Sequence, residues 1–214
     1  MNNRGTFITF EGPEGSGKTT QVSELIRRLE GAGYTVIQAR EPGGTLMGEA
    51  IREMLKDDET GEPICGEAEV LLFAACRSQL VRQVIAPALR RGDCIVCDRF
   101  SDSTTAYQGY GRGFEISSMD TINQFAMDGV IPDLTLLLDV DLNTSFQRVA
   151  DRTQRIGSTL DRMEREDRAF HERVRNGYLE LARRFPERFA MIDGTLSAAN
   201  VSDLVWGHVE SILT

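Results

Sequence analysis

The chain has 214 residues, enough for one large domain or two small ones, and no Pro/Gly/Ser-rich linker divides it, so a single domain over 1–214 is expected. Thirty-three acidic residues against 24 basic give a net charge of −9, which argues against a protein that holds long nucleic acid by its overall field; an anionic ligand must meet a local basic cluster. The apolar runs are short and no charged region followed by a long hydrophobic stretch opens the chain, so neither a signal peptide nor a membrane span is expected, and a soluble, cytoplasmic protein is.

The first element is an apolar run containing Phe7, Ile8 and Phe10 that leads into Gly12-Pro13-Glu14-Gly15-Ser16-Gly17-Lys18-Thr19, a fit to G-x-x-x-x-G-K-(S/T). Each fixed position has a task. Glycines let backbone N–H groups close on phosphate oxygens, Lys18 reaches the β- and γ-phosphates, and the Thr19 hydroxyl ligates Mg²⁺. Val22, Leu25, Ile26 and Leu29 recur at helical spacing behind it, so a helix N-terminus adds partial positive charge. The ATP-binding candidates are therefore Gly12, Pro13, Glu14, Gly15, Ser16, Gly17, Lys18, Thr19 and Thr20.

Gly31-Ala32-Gly33 reads as a stop, and Tyr34 to Ala39 as a second strand. It runs into Arg40-Glu41-Pro42-Gly43-Gly44-Thr45, equally readable as a tight turn or as a shaped loop at a strand end, where open α/β sheets bind ligands. Gly48 to Leu55 looks helical, and the acidic stretch Lys56 to Glu62 reads as an exposed, mobile loop. A long helical pattern from Glu67 to Arg91 follows, with a kink expected at Pro87 and a stop at Gly92.

Cys94 to Asp98 is an apolar strand ending in a carboxylate. Its C-x-x-C puts the two thiols on opposite faces, with no Cys/His cluster to complete a zinc site, so buried thiols in a reducing compartment are expected. Ser101 to Gly113, SDSTTAYQGYGRG, is polar, aromatic and Gly-rich, and helix resumes from Ser118 to Met127. Leu134 to Asp139 is a buried-type strand; Asp139 itself could merely cap the next helix. That helix runs from Asp141 to Asp151, breaks over Arg152 to Thr159, and the pattern resumes from Leu160 to Phe185. Phe189 to Asp193 is a last strand and Val201 to Leu213 a last helix. Strands alternating with helices imply a parallel sheet covered on both faces. His171 and His208 read as ordinary helix residues.

A P-loop alone does not separate kinases from GTPases, motors or ATP-dependent binding proteins. There is no N-K-x-D guanine motif and no second domain for a motor. The ordered motifs FEGPEGSGKTT, REPGGT, LLFAACR, DRFSDSTTAYQG, LDRMERE and RVRNGYLELA, which together span nearly the whole chain, resemble those of the bacterial thymidylate kinases. The resemblance implies a P-loop NTPase fold of the nucleoside-monophosphate-kinase kind, with a five-stranded parallel sheet, a short lid at about 148–162 and a homodimer. It also implies phosphoryl transfer from ATP to dTMP with Mg²⁺, a step of dTTP synthesis. The alternatives are a P-loop kinase for another nucleoside or monophosphate, and an ATP-dependent switch, which would have no need of a second phosphate site.

Carried over by position, the resemblance implies that Phe73 stacks on thymine and Arg77, four residues on along the same helical face, hydrogen-bonds it. It implies that Thr104 meets the base edge and Ser103 supports the loop. Tyr107 lies against the sugar where a 2′-hydroxyl would be, Gln108 helps hold the acceptor, and Pro42 shapes its pocket. Arg99 grips the dTMP phosphate with a planar fork, Asp98 acts on the hydration shell of Mg²⁺, and Glu14 contacts the 3′-hydroxyl. The P-loop carries no inner arginine, so the charge is expected from the lid: Arg155 with Arg152 assisting, Arg148 covering the adenine, and Arg162 a further candidate. The spacing to Leu160-Asp161-Arg162 is about one residue longer than the pattern of that group.

Overall fold

A computed structural model describes residues 4–56, 63–157 and 159–213. Five strands, Phe7–Glu11 (β1), Val36–Arg40 (β2), Cys94–Asp98 (β3), Leu134–Asp139 (β4) and Phe189–Asp193 (β5), form one parallel sheet in the order β2-β3-β1-β4-β5. The central strand, FITFE, is buried along its whole length, as a strand covered on both faces must be. Ile8, Phe10, Val96 and Leu136 pack on one face against helices Lys18–Gly31 (α1) and Ala198–Glu210 (α9), while Phe7, Ile95 and Cys97 pack on the other. Cys94 and Cys97 fall in these two separate clusters, so strand alternation does keep the thiols apart.

The second strand begins two residues later than expected, where pairing of Val36 with Cys94 starts. The next helix, Leu46–Lys56 (α2), is slightly longer than its apolar pattern; residues 57–62 of the expected acidic loop lie outside the described residues. The long pattern from Glu67 to Arg91 resolves into α3 (Gly66–Leu80), a π turn over Val81–Ile85 and α4 (Ala86–Arg91). Pro87 has no N–H and its ring crowds the carbonyl four residues back; the ladder adjusts just before it, Ala86 N–H donating to Val81 O, and Gly92 closes α4 in the left-handed conformation.

The Gly-rich segment after β3 is helical, contrary to the expectation that helix resumes only at Ser118. It forms a short turn, Ser101–Thr104 (α5), and then a π-helical stretch, Thr105–Gly111, before Ile116–Met127 (α6). Gly109 and Gly111 in it serve packing. A Cβ on Gly111 would lie 2.7 Å from the Phe170 ring, so the bare backbone lets Arg168–Arg184 (α8) come close.

The break expected at Arg152 is displaced. Helix α7 runs Leu142–Ile156, its N-terminus capped by Asp141, whose side chain accepts from Asn143 and Thr144 N–H, and it ends at Gly157. Helix does not resume at Leu160; residues 159–167 are turns and irregular chain, and α8 starts behind its own cap, Asp167, which accepts from Phe170 N–H. Asp139 is not a cap either: it takes a two-pronged ion pair from Arg175 at 2.7 and 2.8 Å.

Candidate active site

In a parallel sheet the carboxyl ends of all strands open on one edge, and here β1, β2 and β3 end at a cleft of about 890 Å³. The P-loop forms its floor. Gly12, at φ 139°, is where the chain leaves β1; a Cβ there would lie 2.3 Å from Leu138 O, so only glycine lets the loop turn beside β4. Lys18 folds back over the loop, donating to Pro13 O at 2.9 Å, Gly12 O at 3.1 Å and Ser16 Oγ at 3.3 Å. Burial, reinforced by the charge of Arg99, pushes its pKa down to about 8 despite Glu14 and Asp98 nearby. Thr19 Oγ1 donates to Asp98 Oδ2 at 3.0 Å, which joins the loop to the end of β3.

Arg99 follows directly, held at φ 70°, a conformation that non-glycine residues rarely adopt. Glu11 braces it by accepting the next N–H, that of Phe100, at 2.8 Å. Glu11 also accepts from Ser103 Oγ at 2.6 Å and Tyr178 OH at 2.9 Å, and both hydroxyls in turn accept from Arg99 Nη1 at 3.1 and 3.0 Å. The other terminal nitrogen of Arg99 donates to Glu14 at 2.5 Å and to Tyr107 OH at 3.1 Å. Burial, then the charge of Asp102, pushes Glu11 up to about 7 against the pull of Arg99. Glu14 goes the other way: burial raises it, but Arg99 and Lys18 overcome that and hold it at about 2.

Arg77 sits 1 % exposed on α3 and is clamped from three sides. It donates to Glu41 Oε2 through Nε (3.0 Å) and Nη2 (2.6 Å), to Asn123 Oδ1 through Nη1 (2.7 Å) and to Thr104 Oγ1 through Nη2 (2.9 Å). It is not the solvated charge that its break in the apolar pattern would suggest. Phe73, one turn earlier, is half-buried and lines the cleft with Pro42, Thr104, Tyr107 and Gln108. Gln108 sends its amide N–H to buried Glu69 at 2.7 Å.

On the opposite wall Arg148 donates to Gly15 O at 3.3 Å and Gly194 O at 2.9 Å, which ties α7 to the P-loop and to the end of β5. Arg152 and Arg155 line the cleft; Arg152 pairs with Glu164 across the turn, while Arg155 is exposed. Arg162 is withdrawn as a candidate for the phosphates. Its guanidinium is committed to Glu69 at 2.5 Å and to Leu55 O at 3.2 Å.

The expected site residues line this cleft except Gly12, Pro13 and Ser16, which form the inner frame of the loop, and Arg162, which turns to Glu69. Sequence reasoning missed Glu11, Glu41, Asn123, Glu69, Glu164 and Tyr178. The first follows an apolar strand directly and the second lies inside the shaped loop, so both were findable as carboxylates at strand ends; the others lie in helices or a turn with no local signal. For Mg²⁺ the donor set fits: Thr19 and Asp98 offer hard oxygens, and an ion shared with phosphates needs only one or two protein ligands. No cluster of three or more His, Cys, Asp or Glu able to hold a metal occurs among the described residues.

A P-loop facing a second arginine-bearing strand end across one cleft, on an all-parallel five-stranded sheet, defines a nucleotide-dependent phosphotransferase of the P-loop kinase class. A family model, thymidylate kinase, matches residues 10–205. The chain is 51% identical to the thymidylate kinase of Pelotomaculum thermopropionicum over 90% of its own length and 87% of that protein, and 46% identical to that of Solidesulfovibrio magneticus over 97% and 100%. The crystal structure of thymidylate kinase from Ehrlichia chaffeensis is similar with a TM-score of 0.76 at 34% identity, covering 96% of this chain and 99% of that one. The chain belongs to the thymidylate kinase family, and it is a kinase that phosphorylates dTMP.

Proposed function

We propose that the chain catalyses ATP + dTMP → ADP + dTDP by in-line transfer, the γ-phosphorus leaving the bridging oxygen of ADP and bonding to an oxygen of the dTMP phosphate. The observation that carries this reading is the placement of Lys18, Arg99 and Arg77 on one cleft, one for each of donor phosphates, acceptor phosphate and acceptor base. Positioning and charge neutralisation supply most of the catalysis in such transfers. No general base is required, because the acceptor phosphate is already anionic near neutral pH. Mg²⁺, held through Thr19 Oγ1 and Asp98, would supply charge neutralisation on the β- and γ-phosphates.

The P-loop from Gly12 to Thr20 wraps the donor phosphates with the backbone N–H groups it has, Pro13 offering none, and Lys18 neutralises the migrating group. Arg99 takes the acceptor phosphate after exchanging its contact with Glu14, which then meets the 3′-hydroxyl. Phe73 stacks on thymine while Arg77 and Thr104 meet its edge, Tyr107 closes the space beside the sugar, and Ser103 supports the loop. The segment around 148–162 acts as a lid, with Arg155 and Arg152 reaching the phosphates and Arg148 covering the adenine. The unit is a homodimer; exposed apolar side chains on two packed helices, Leu71 (60%) on α3 and Phe125 (87%) on α6, supply a surface for it. A coupled ADP-release assay over a panel of nucleoside monophosphates tests the reading. Release with dTMP that is absent with purine monophosphates and abolished by chelating Mg²⁺ is expected, and a stronger response to another acceptor overturns the assignment of the base site.

A further inference from the structure

Glu69 lies on α3, is fully buried, and is used by no step of the transfer. Its Oε1 accepts from Gln108 Nε2 at 2.7 Å and Arg112 Nε at 3.2 Å; its Oε2 accepts from Arg112 Nη2 at 3.2 Å and pairs with Arg162 Nη1 at 2.5 Å. Those four contacts fill the positions that a carboxylate offers. Burial raises the pKa of Glu69, but the hydrogen bonds from Arg112 and Gln108 and the charge of Arg162 outweigh it and hold the group below the ordinary carboxylate range. An ionised carboxylate only accepts. The two arginines therefore keep Glu69 in the form that can take the NH₂ end of Gln108 and no other.

A primary amide carries its NH₂ and its oxygen on one carbon, pointing apart, so pinning one end aims the other. Gln108 Oε1 accepts from no described residue, and the side chain lines the cleft beside Phe73, Arg77 and Thr104. We infer that Glu69 is a positioning residue that makes Gln108 offer its carbonyl oxygen, rather than its NH₂, to the acceptor base. A pocket set this way selects a base with a ring N–H, as in the imide of thymine, over one with a ring nitrogen lone pair, as in cytosine. The inference rests on the reading that dTMP occupies this cleft.

Replacing Glu69 by glutamine keeps the shape but supplies a group that both donates and accepts, so the Gln108 amide is no longer pinned. In Glu69→Gln the preference for dTMP over dCMP, as a ratio of kcat/KM values, falls at least about tenfold, the range set by an unpaired or opposed polar group, with the KM for ATP unchanged. Glu69→Gln added to Gln108→Leu causes no further loss. Retained preference in a folded Glu69→Gln protein, or a full second loss in the Gln108→Leu background, overturns the inference. If Glu69→Gln does not fold, the side-chain amide protons of Gln108 in the ligand-free parent decide by NMR. One proton protected from exchange supports the pinned amide, and two exchanging at the rate of an exposed amide overturn it. A parent that prefers some other monophosphate would defeat the dTMP reading while leaving this amide measurement standing.

Discussion

Lys18 is 7% exposed and sits among carbonyl oxygens of its own loop, and its depressed pKa gives it a distinct signature. The group is protonated below about pH 8 and neutral above it. Since only the ammonium can neutralise phosphate charge, kcat/KM for ATP should be level below that pH and decline above it, a profile that reports the free enzyme. A plateau extending unchanged to pH 10 would assign the limiting charge elsewhere. Lys18→Ala should lower kcat by at least about a hundredfold, the scale of one lost transition-state contact, while cooperative thermal unfolding is retained. The eight residues around this lysine were readable because they are contiguous and each has a local task. Arg99 was readable by position and resemblance, but its left-handed backbone was not, because the brace, Glu11, belongs to another strand 89 residues away from the bonded Phe100.

At the level of elements, the segment proposed as a lid separates what helical pattern can and cannot say. The pattern break expected at Arg152 marks no helix end. The real boundaries are Gly157 and the capping aspartates Asp141 and Asp167, which are chemical signals rather than gaps in hydrophobic periodicity. Because α7 continues to Ile156, Arg148, Arg152 and Arg155 rise along one helix at spacings of four and three residues, and all three reach the cleft. Arg152 must leave Glu164 before it can meet a phosphate; Arg155 has no such tie among the described residues. Arg155→Ala should therefore reduce kcat at least about tenfold with little change in the KM for dTMP, the pattern of a contact made only in the transition state. If turnover by Arg155→Ala and Arg152→Ala matches that of the parent, these two arginines have no part in the transfer. Two glycines of the segment after β3 misled in a similar way: Gly109 and Gly111 mark close packing against α6 and α8 rather than irregular chain.

At the scale of the whole molecule, two of the exposed apolar side chains lie on neighbouring helices and form the surface on which the proposed homodimer rests. Leu71 and Phe125 project from α3 and α6, the helices that also carry Phe73, Arg77 and Asn123, so association would stiffen the wall of the base pocket. Light scattering should give the mass of a dimer, and Phe125→Glu with Leu71→Glu should give a monomer with a raised KM for dTMP. A parent that elutes and scatters as a monomer at all concentrations would remove this surface from the account.

The amino-acid sequence by itself determined the P-loop and the five strands to within two residues at each end, because phosphate binding by backbone amides and burial of a central strand are both local properties of short runs. With the resemblance it also named most of the side chains that line the cleft. Only the tertiary structure decided how those side chains are held. Arg77 meets Asn123 across 46 residues of chain, Glu11 meets Tyr178 across 167, and Glu69 gathers Gln108 from the π-helical stretch after β3 and Arg162 from the turns between α7 and α8. Such partners leave no periodic or motif signal. A buried carboxylate is costly unless its acceptor positions find partners, and for Glu69 that condition is met by the folded chain as a whole, never by any segment of it.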